Sequence, residues 1–300
     1  MANTPNRKWY RPTKAIITDA GFASRFLPWT KTNPKAMVPI GNKPIMQMVV
    51  EECAIAGIKD IIIVTTVEGK QIYEDYFSNA ITHVRKQLLA QGKPERYETV
   101  QEVLDLPKIR VIVQDPSLPY GNGSPIVTAQ KYIADDEAFV VCYSDDIVLR
   151  SSDVVTMLEA FDRHPDADGV IMAQEIQPNE VSKYGMIKTK GDKNEPTLDH
   201  IIEKPEIGKA PSLLASYGRY LLTPEIFKYL KPNATGKDGE LWTVDGITEI
   251  AKHGNVYVET TEGQWRTTGD PENYFMALLE NVLEQDDAFA DEVRDFVKSH

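Results

Sequence analysis

The first segment of this sequence that could do chemistry is a glycine turn followed by two cations, within residues 20–35. Ala20 and Gly21 open the turn, and Arg25 and Lys35 follow on the same segment. A glycine turn lets main-chain amides approach an anion, and the two cations add positive charge there, as a nucleoside triphosphate would require. The alternative is a surface loop with a solvated Arg and Lys, because isolated glycine patterns are weak signals.

A second candidate site is a pair of carboxylates that follows the apolar run 138–143. Asp145 and Asp146 come directly after Ser144, where a buried strand would end. Open α/β sheets bind their ligands at the carboxyl ends of strands, and Mg²⁺ is commonly held by one or two carboxylates together with substrate phosphates. The pair is therefore a candidate Mg²⁺ site, with capping of a following helix as the alternative.

Two shorter motifs in the second half of the chain add a tight turn and a further cation. The turn is Tyr184-Gly185, and the cation is Lys204 within Glu203-Lys204-Pro205. A lysine in such a setting is usually an exposed surface residue. The five histidines form no Ser-His or Cys-His arrangement of the kind that covalent catalysis uses.

The elements that must position these residues alternate between strand and helix. An apolar run at 14–18, a helical pattern at 45–56 that Gly57 ends, and an apolar run at 61–65 predict a βαβ unit of a parallel or mixed sheet. The later predicted elements are a helix at 68–89 with an irregular middle, a strand at 109–113, a helix at 124–133, strands at 138–143, 169–175, 185–189 and 216–222, and one or two helices over 271–300. This alternation indicates an α/β fold.

Composition and charge restrict the class of protein. The chain has 300 residues, 42% of them hydrophobic, and a formal net charge of −12, which repels phosphate backbones and argues against a nucleic-acid partner. Cys53 and Cys142 lie in apolar runs, as expected of free thiols in a reducing compartment, so we expect a cytoplasmic protein. We expect neither a signal peptide nor a membrane span, which would need about 20 consecutive apolar residues.

The motifs taken together resemble the bacterial UTP–glucose-1-phosphate uridylyltransferases of the sugar nucleotidyltransferase superfamily. The resemblance runs from about residue 14 to residue 279. It rests on the pattern Ala-Gly-x-x-x-Arg-x-x-Pro-x-Thr-x-x-x-Pro-Lys at 20–35, followed by Asn42-Lys43-Pro44-Ile45, Ser144-Asp145, Glu203-Lys204-Pro205 and Gly218-Arg219-Tyr220.

This resemblance implies a Rossmann-like fold with a mixed, mostly parallel sheet flanked by helices. Residues 1–13 would be an N-terminal extension, and residues 14–285 the nucleotidyltransferase domain, divided into a nucleotide-binding half (14–150) and a sugar-phosphate-binding half (151–285). Residues 286–300 would form a C-terminal helical segment. The implied reaction joins UTP and glucose 1-phosphate into UDP-glucose and pyrophosphate with the help of Mg²⁺, in a homo-oligomer that is a dimer or a tetramer.

The resemblance also implies roles for individual residues. Arg25 and Lys35 would contact the triphosphate as the catalytic cations, and Asp145 would hold Mg²⁺. The other implied nucleotide contacts are Ala20, Gly21, Gln114, Gly121 and Gly123. The implied contacts to the sugar phosphate are Gly185, Glu203, Lys204 and Glu240, with Asp245 nearby.

Three positions differ from the family pattern and leave other functions open. Ala23 replaces a loop glycine, Asp19 puts an acid near the nucleotide, and Thr267 stands where a second metal carboxylate is usual, with Asp270 just beyond. One alternative is a weak or inactive relative that binds nucleotide sugars and regulates a partner. Another is an enzyme of the same fold that uses a different base or sugar, such as dTTP or CTP. The glycine loop lacks the Gly-x-Gly-x-x-Gly pattern of a nicotinamide dehydrogenase.

Overall fold

A nine-stranded sheet forms the centre of the computed structural model, which describes residues 8–78, 81–285 and 287–300. The strands of the described chain are β1 (Lys14–Asp19), β2 (Pro39–Ile40), β3 (Lys43–Pro44), β4 (Asp60–Thr65), β5 (Lys108–Val113), β6 (Phe139–Tyr143), β7 (Asp146–Leu149), β8 (Ala167–Glu175), β9 (Gly185–Gly191), β10 (Pro196–Glu203), β11 (Leu214–Leu222), β12 (Asn255–Thr260) and β13 (Gln264–Thr267).

Helices cover both faces of this sheet, and two apolar cores lie between sheet and helices. The α-helices of the described chain are α1 (Ile45–Ile55), α2 (Val67–Tyr76), α3 (Thr82–Ala90), α4 (Glu98–Leu104), α5 (Ser124–Ala129), α6 (Asp153–Arg163), α7 (Thr243–Ala251), α8 (Pro271–Leu283) and α9 (Ala288–Ser299). In the described part of the chain, no helix is long and apolar enough to cross a bilayer.

The strand order of the large sheet is β5-β4-β1-β6-β11-β8-β12-β10-β9. β5, β4, β1 and β6 are parallel to one another, while β11 and β10 run against their neighbours. The sheet is therefore mixed, as the resemblance implied, but it is not mostly parallel, because four of the eight neighbouring pairs in its strand order are antiparallel. The predicted βαβ unit is confirmed by β1, α1 and β4, and Gly57 after α1 has the positive φ of +84° that favours glycine.

Other predicted elements differ in extent. The helix predicted at 68–89 is two helices, α2 and α3, and residues 79–80 of that prediction lie outside the described residues. The end of the chain forms two helices, α8 and α9. Residues 1–7 of the predicted N-terminal extension and residue 286 also lie outside the described residues, and the predicted domain boundaries stay predictions.

The sequence analysis missed several elements of the second half. These are α6, α7 and the strands β7, β10, β12 and β13. β7 and β13 pair with each other outside the large sheet, in a register that sets Asp146 opposite Thr267. Such short antiparallel strands are specified by their partners more than by local apolar pattern, which explains why they were not predicted.

The parallel pairing of β1 with β6 positions the candidate site. Thr18 pairs with Tyr143, so both strands end side by side. The main-chain N–H of Ser144 donates to the carbonyl of Thr18 over 3.2 Å, which extends the contact one residue further. The glycine loop (residues 20–35) leaves β1 at the edge where the carboxylates follow β6, and this edge carries the site.

Candidate active site

Two adjoining cavities open at the ends of β1 and β6. We call the first the glycine-loop cavity; its volume is about 400 Å³, and it is lined by Gly21 and Lys35 of the glycine loop and by Gln114 and Gly121 across from them. We call the second the aromatic cavity; its volume is about 450 Å³. Its lining includes the aromatic side chains of Tyr143, Tyr184, Tyr217, Tyr220, Trp242 and Trp265.

The two cavities meet at a set of residues that line both. Two members are cations and one is a carboxylate, which suits a place where two phosphate-bearing substrates approach each other. The residues common to both linings are Arg25, Asn122, Tyr143, Asp145, Lys204 and Trp242. Arg25, Asp145 and Lys204 were predicted from the sequence. Asn122, Tyr143 and Trp242 were not, because no local sequence motif distinguishes them from other residues of their type.

Most of the predicted site residues line one or both of the cavities. The glycine-loop cavity is lined by Ala20, Gly21, Arg25, Lys35, Gln114, Gly121, Asp145, Lys204 and Glu240. The aromatic cavity is lined by Arg25, Asp145, Gly185, Glu203 and Lys204. Glu240 was assigned to the sugar phosphate, yet it lines the cavity of the glycine loop. Asp245 lines neither cavity.

Gly123 lies outside both cavity linings and has a packing role. Its main-chain N–H donates to the carbonyl of Leu241 over 2.8 Å. A Cβ at this position would lie 3.0 Å from the same carbonyl oxygen. Because its amide is already occupied, Gly123 has no free N–H to offer a nucleotide.

Lys35 and Asp145 form an ion pair in the glycine-loop cavity. The Lys35 Nζ atom lies 2.6 Å from Asp145 Oδ2, and the side chains are 12% and 34% exposed. Burial would raise the pKa of Asp145, but the Lys35 ammonium outweighs it and holds this pKa below its ordinary value. Asp145 is therefore a carboxylate at neutral pH. Lys35 is not the solvated lysine of the alternative interpretation.

Asp146 lines the aromatic cavity, but both of its carboxylate oxygens accept hydrogen bonds from the protein. Its Oδ1 accepts from Trp265 Nε1 over 2.7 Å, and its Oδ2 accepts from the main-chain N–H of Gly218 over 2.9 Å. Burial, followed by repulsion from Asp145, raises the pKa of Asp146 to about 6. Asp146 begins β7 and no helix follows it, so the helix-capping alternative is wrong.

A buried ion pair behind the site holds the ends of β6 and β7. The Arg219 guanidinium is fully buried and lies 2.8 Å from Glu52 of α1. It also donates to the carbonyls of Asp146 over 2.7 Å and Tyr143 over 3.3 Å. Arg219 thus fixes the main chain on both sides of Asp145. Glu52 was not predicted, because nothing in the sequence around this glutamate indicates that it pairs with Arg219.

Lys204 and Ala23 both adopt a left-handed main-chain conformation. The φ angle is +46° at each residue, a region that non-glycine residues rarely occupy. At Lys204 the main-chain N–H donates to the carbonyl of Tyr184 over 3.1 Å, and the Nζ atom lies 5.1 Å from the ring centre of Trp242. Ala23 therefore has the conformation that a glycine would adopt, and its substitution leaves the turn of the loop in place.

Asp19 is tied back into the protein at the end of β1. Ser144 Oγ donates to its Oδ1 over 2.6 Å, and the hydroxyl of Tyr73 donates to its Oδ2. Burial raises the pKa of Asp19, while the two hydrogen bonds work to lower it. Both oxygens have protein donors, which reduces the conflict with a nucleotide that the sequence suggested.

Asp270 lines the aromatic cavity, but its carboxylate is engaged at the start of α8. Its side chain caps α8, accepting from the main-chain N–H of Asn273 over 3.0 Å and from the Asn273 amide over 2.7 Å. Among the residues described, no group of three or more His, Cys, Asp or Glu side chains could hold a metal. A divalent ion here would depend on Asp145, substrate phosphates and water, a donor set that suits Mg²⁺.

The fold and this site define a class of protein. The chain belongs to the nucleotidyl transferase family, whose sequence model matches residues 14–283. Nucleotidyltransferases of this family generally use a divalent metal ion.

Similar proteins include UTP–glucose-1-phosphate uridylyltransferases of two bacteria. The chain is 37% identical over 289 residues to UTP–glucose-1-phosphate uridylyltransferase 2 of Staphylococcus saprophyticus, which spans 95% of this chain and 96% of the relative. It is 35% identical to the uridylyltransferase YngB of Bacillus subtilis, across 89% of this chain and 88% of that protein.

Solved structures agree with these sequence relatives. A UDP-glucose pyrophosphorylase complexed with UDP-glucose is 29% identical, with a TM-score of 0.79 over 91% of this chain and 100% of that one. A UTP-bound UGPase from Acinetobacter baumannii is 26% identical, with a TM-score of 0.83 over 95% of this chain and 98% of that one.

Proposed function

We propose that this protein forms UDP-glucose and pyrophosphate from UTP and glucose 1-phosphate. The observation that carries the proposal is the junction of the two cavities, where Arg25, Lys204 and the ionised Asp145 line both. Two separate anions must meet for this reaction, and a shared boundary of cations and a carboxylate suits that meeting. The names of the relatives supply the nucleotide and the sugar.

The glycine-loop cavity would hold UTP, and the aromatic cavity would hold glucose 1-phosphate. A phosphate oxygen of the sugar attacks the α-phosphorus of UTP; a new P–O bond forms, and the bond to the departing pyrophosphate breaks. The nucleophile is already an anion, so no general base is needed. The protein holds two repelling anions in line, with Arg25 and Lys35 at the triphosphate and Lys204 at the sugar phosphate.

Mg²⁺ is the divalent ion that we propose for this site. Asp145 would be its protein ligand, and the remaining ligands would be phosphate oxygens and water. When bound, the ion neutralises charge on the phosphates. Because Asp145 pairs with Lys35 at 2.6 Å, its carboxylate is already ionised and oriented toward the cavity.

We place the reaction in the cytoplasm. Cys53 and Cys142 are buried free thiols whose sulfur atoms lie 3.9 Å apart without forming a disulfide, which fits a reducing compartment. Assembly into a dimer or tetramer stays a prediction from the family resemblance.

The proposal is tested by product formation. The wild type is incubated with UTP, glucose 1-phosphate and Mg²⁺, and both UDP-glucose and pyrophosphate are quantified. We expect both products in equal amounts, and we expect Asp145→Asn to abolish their formation while keeping the thermal unfolding midpoint. If neither product forms but UDP-glucose binds in a calorimeter, the protein is a binding relative, an outcome that the Thr267 substitution would favour.

A further inference from the structure

The segment between β5 and α5 reaches both cavities at Asn122. Tyr120 and Gly121 of this segment line the glycine-loop cavity. Among the described residues of the segment 114–125, Asn122 is the one that also lines the aromatic cavity. Asn122 therefore lies at the boundary between the nucleotide side and the sugar side of the site.

The orientation of the Asn122 amide is fixed by a donor that cannot accept. The main-chain N–H of Thr243, in the first turn of α7, donates to Asn122 Oδ1 over 2.8 Å. A main-chain N–H is only a donor, so the atom facing it must be the amide oxygen. The Nδ2 group then points away from α7, and it has no hydrogen-bond partner among the described residues.

Three hydrogen bonds join this segment to residues 241–243. Leu241 donates its main-chain N–H to the carbonyl of Tyr120 over 2.8 Å, and Gly123 donates to the carbonyl of Leu241 over the same distance. The third is the Thr243 bond to Asn122. The next residue along the chain, Val244, lines the aromatic cavity. Asn122 is thus anchored on the side of the site that the sugar phosphate would occupy.

We propose that Asn122 is a substrate-binding residue that donates from Nδ2 to an oxygen of the sugar 1-phosphate. The inference rests on the proposed function, because it assigns the sugar phosphate to the aromatic cavity. Asn122 would supply a neutral hydrogen-bond donor of fixed orientation. The other side chains predicted to contact this substrate are Lys204 and acidic groups. The contact would align the sugar phosphate with the nucleotide held by the same segment.

The competing interpretation is that Asn122 only caps α7, since its Oδ1 satisfies a first-turn N–H of that helix. Two variants separate the interpretations. Asn122→Ala removes both the cap and the donor without adding charge. Asn122→Asp keeps an oxygen for the Thr243 N–H and removes the donor, so it is the folded control if the alanine variant does not fold.

The experiment measures KM for glucose 1-phosphate and for UTP separately, together with thermal unfolding midpoints. We expect Asn122→Ala to raise KM for glucose 1-phosphate about three- to tenfold, the worth of one neutral hydrogen bond, with KM for UTP nearly unchanged. Asn122→Asp should raise the same KM at least as much, because it also places a negative charge beside the sugar phosphate, and should keep the wild-type unfolding midpoint.

The inference is overturned if either folded variant keeps the wild-type KM for glucose 1-phosphate, or if KM for UTP rises by as much. Failure of the proposed function looks different, because the wild type itself would then form no UDP-glucose. A wild type that is active beside variants with unchanged KM would leave the function standing and reduce Asn122 to a helix cap.

Discussion

At the scale of single residues, Lys204 is the cation best placed to distinguish the two substrates. It lines both cavities and lies beside the aromatic ring of Trp242. We expect Lys204→Ala to raise KM for glucose 1-phosphate by about tenfold or more, since a charge-assisted hydrogen bond is worth roughly 1.5–3 kcal/mol. KM for UTP should change much less.

The matched control for this variant is Lys209→Ala. Lys209 is an exposed lysine that pairs with Glu206 on the surface and lines neither cavity. Steady-state kinetics with each substrate varied in turn would decide the assignment. Equal increases in both KM values after the Lys204 substitution would contradict it.

Arg25 is expected to act on the transition state. It is 71% exposed, it lines both cavities, and its Nη1 atom lies 4.0 Å from Asp270. An exposed arginine at the junction is available to the triphosphate as charge develops on the departing pyrophosphate. Arg25→Ala should lower kcat by about a hundredfold or more, comparable to losing one preorganised donor.

Lys31→Ala serves as the control on the same loop, because Lys31 is exposed and lies outside both cavity linings. It should leave kcat close to the wild-type value. An Arg25→Ala variant that turns over within a few-fold of the wild type would place this side chain in solvent throughout the reaction.

We expect Thr267 to determine how strongly the metal is held. It lies opposite Asp146 in the β7–β13 pair, and it brings a hydroxyl where the family resemblance implies a carboxylate. If Asp145 is the only protein carboxylate on the metal, the affinity for Mg²⁺ should be weak. We therefore expect activity to need Mg²⁺ at roughly millimolar concentration. Thr267→Asp should lower the Mg²⁺ concentration for half-maximal activity, measured by titration after the metal is removed with a chelator. An unchanged requirement would show that position 267 does not reach the metal.

At the scale of elements, the Glu52–Arg219 pair joins α1 to β11 and to the ends of β6 and β7. Both side chains are buried, and Arg219 holds the carbonyl of Asp146. Arg219→Met leaves an unpaired buried carboxylate, so it should lower the free energy of unfolding by about 3–5 kcal/mol. Activity should fall as well, because the main chain around Asp145 loses its support.

The double variant Glu52→Gln with Arg219→Met tests whether the cost comes from the unpaired charge. We expect it to recover part of the stability that Arg219→Met loses, as measured by denaturant unfolding in a double-mutant cycle. No recovery would show that the guanidinium stabilises the protein mainly through its bonds to the main-chain carbonyls.

Local signals explain which parts of the site could be predicted. The glycine loop and Asp145 follow strands whose apolar runs are evident in the sequence, so their position at the sheet edge could be predicted. The hydrogen bonds that occupy both carboxylate oxygens of Asp146 could not be predicted, because their donors, Trp265 and Gly218, are distant in the chain. Asn122 was missed for the same reason, since its role becomes visible only beside Thr243.

At the scale of the whole molecule, an acidic protein places two basic side chains where two anionic substrates would meet. The net charge of −12 repels polyanions at long range, while Arg25 and Lys204 line the junction of the two cavities. The mixed sheet makes this possible, because β1 and β6 end together and β11 packs beside them. The first half of the fold could be predicted from its regular βαβ pattern. In the second half, β8, β9 and β11 could be predicted from their apolar runs, whereas α6, α7 and the strands β7, β10, β12 and β13 could not.

The proposed reaction joins UTP to glucose 1-phosphate in this cleft. The most direct test crosses the four ribonucleoside triphosphates and dTTP with the 1-phosphates of glucose, galactose and N-acetylglucosamine, and measures pyrophosphate release with Mg²⁺. We expect the highest kcat/KM for UTP with glucose 1-phosphate, and UDP-glucose as the product. A higher value for another base or another sugar, or no metal-dependent pyrophosphate release from any pair, would contradict it.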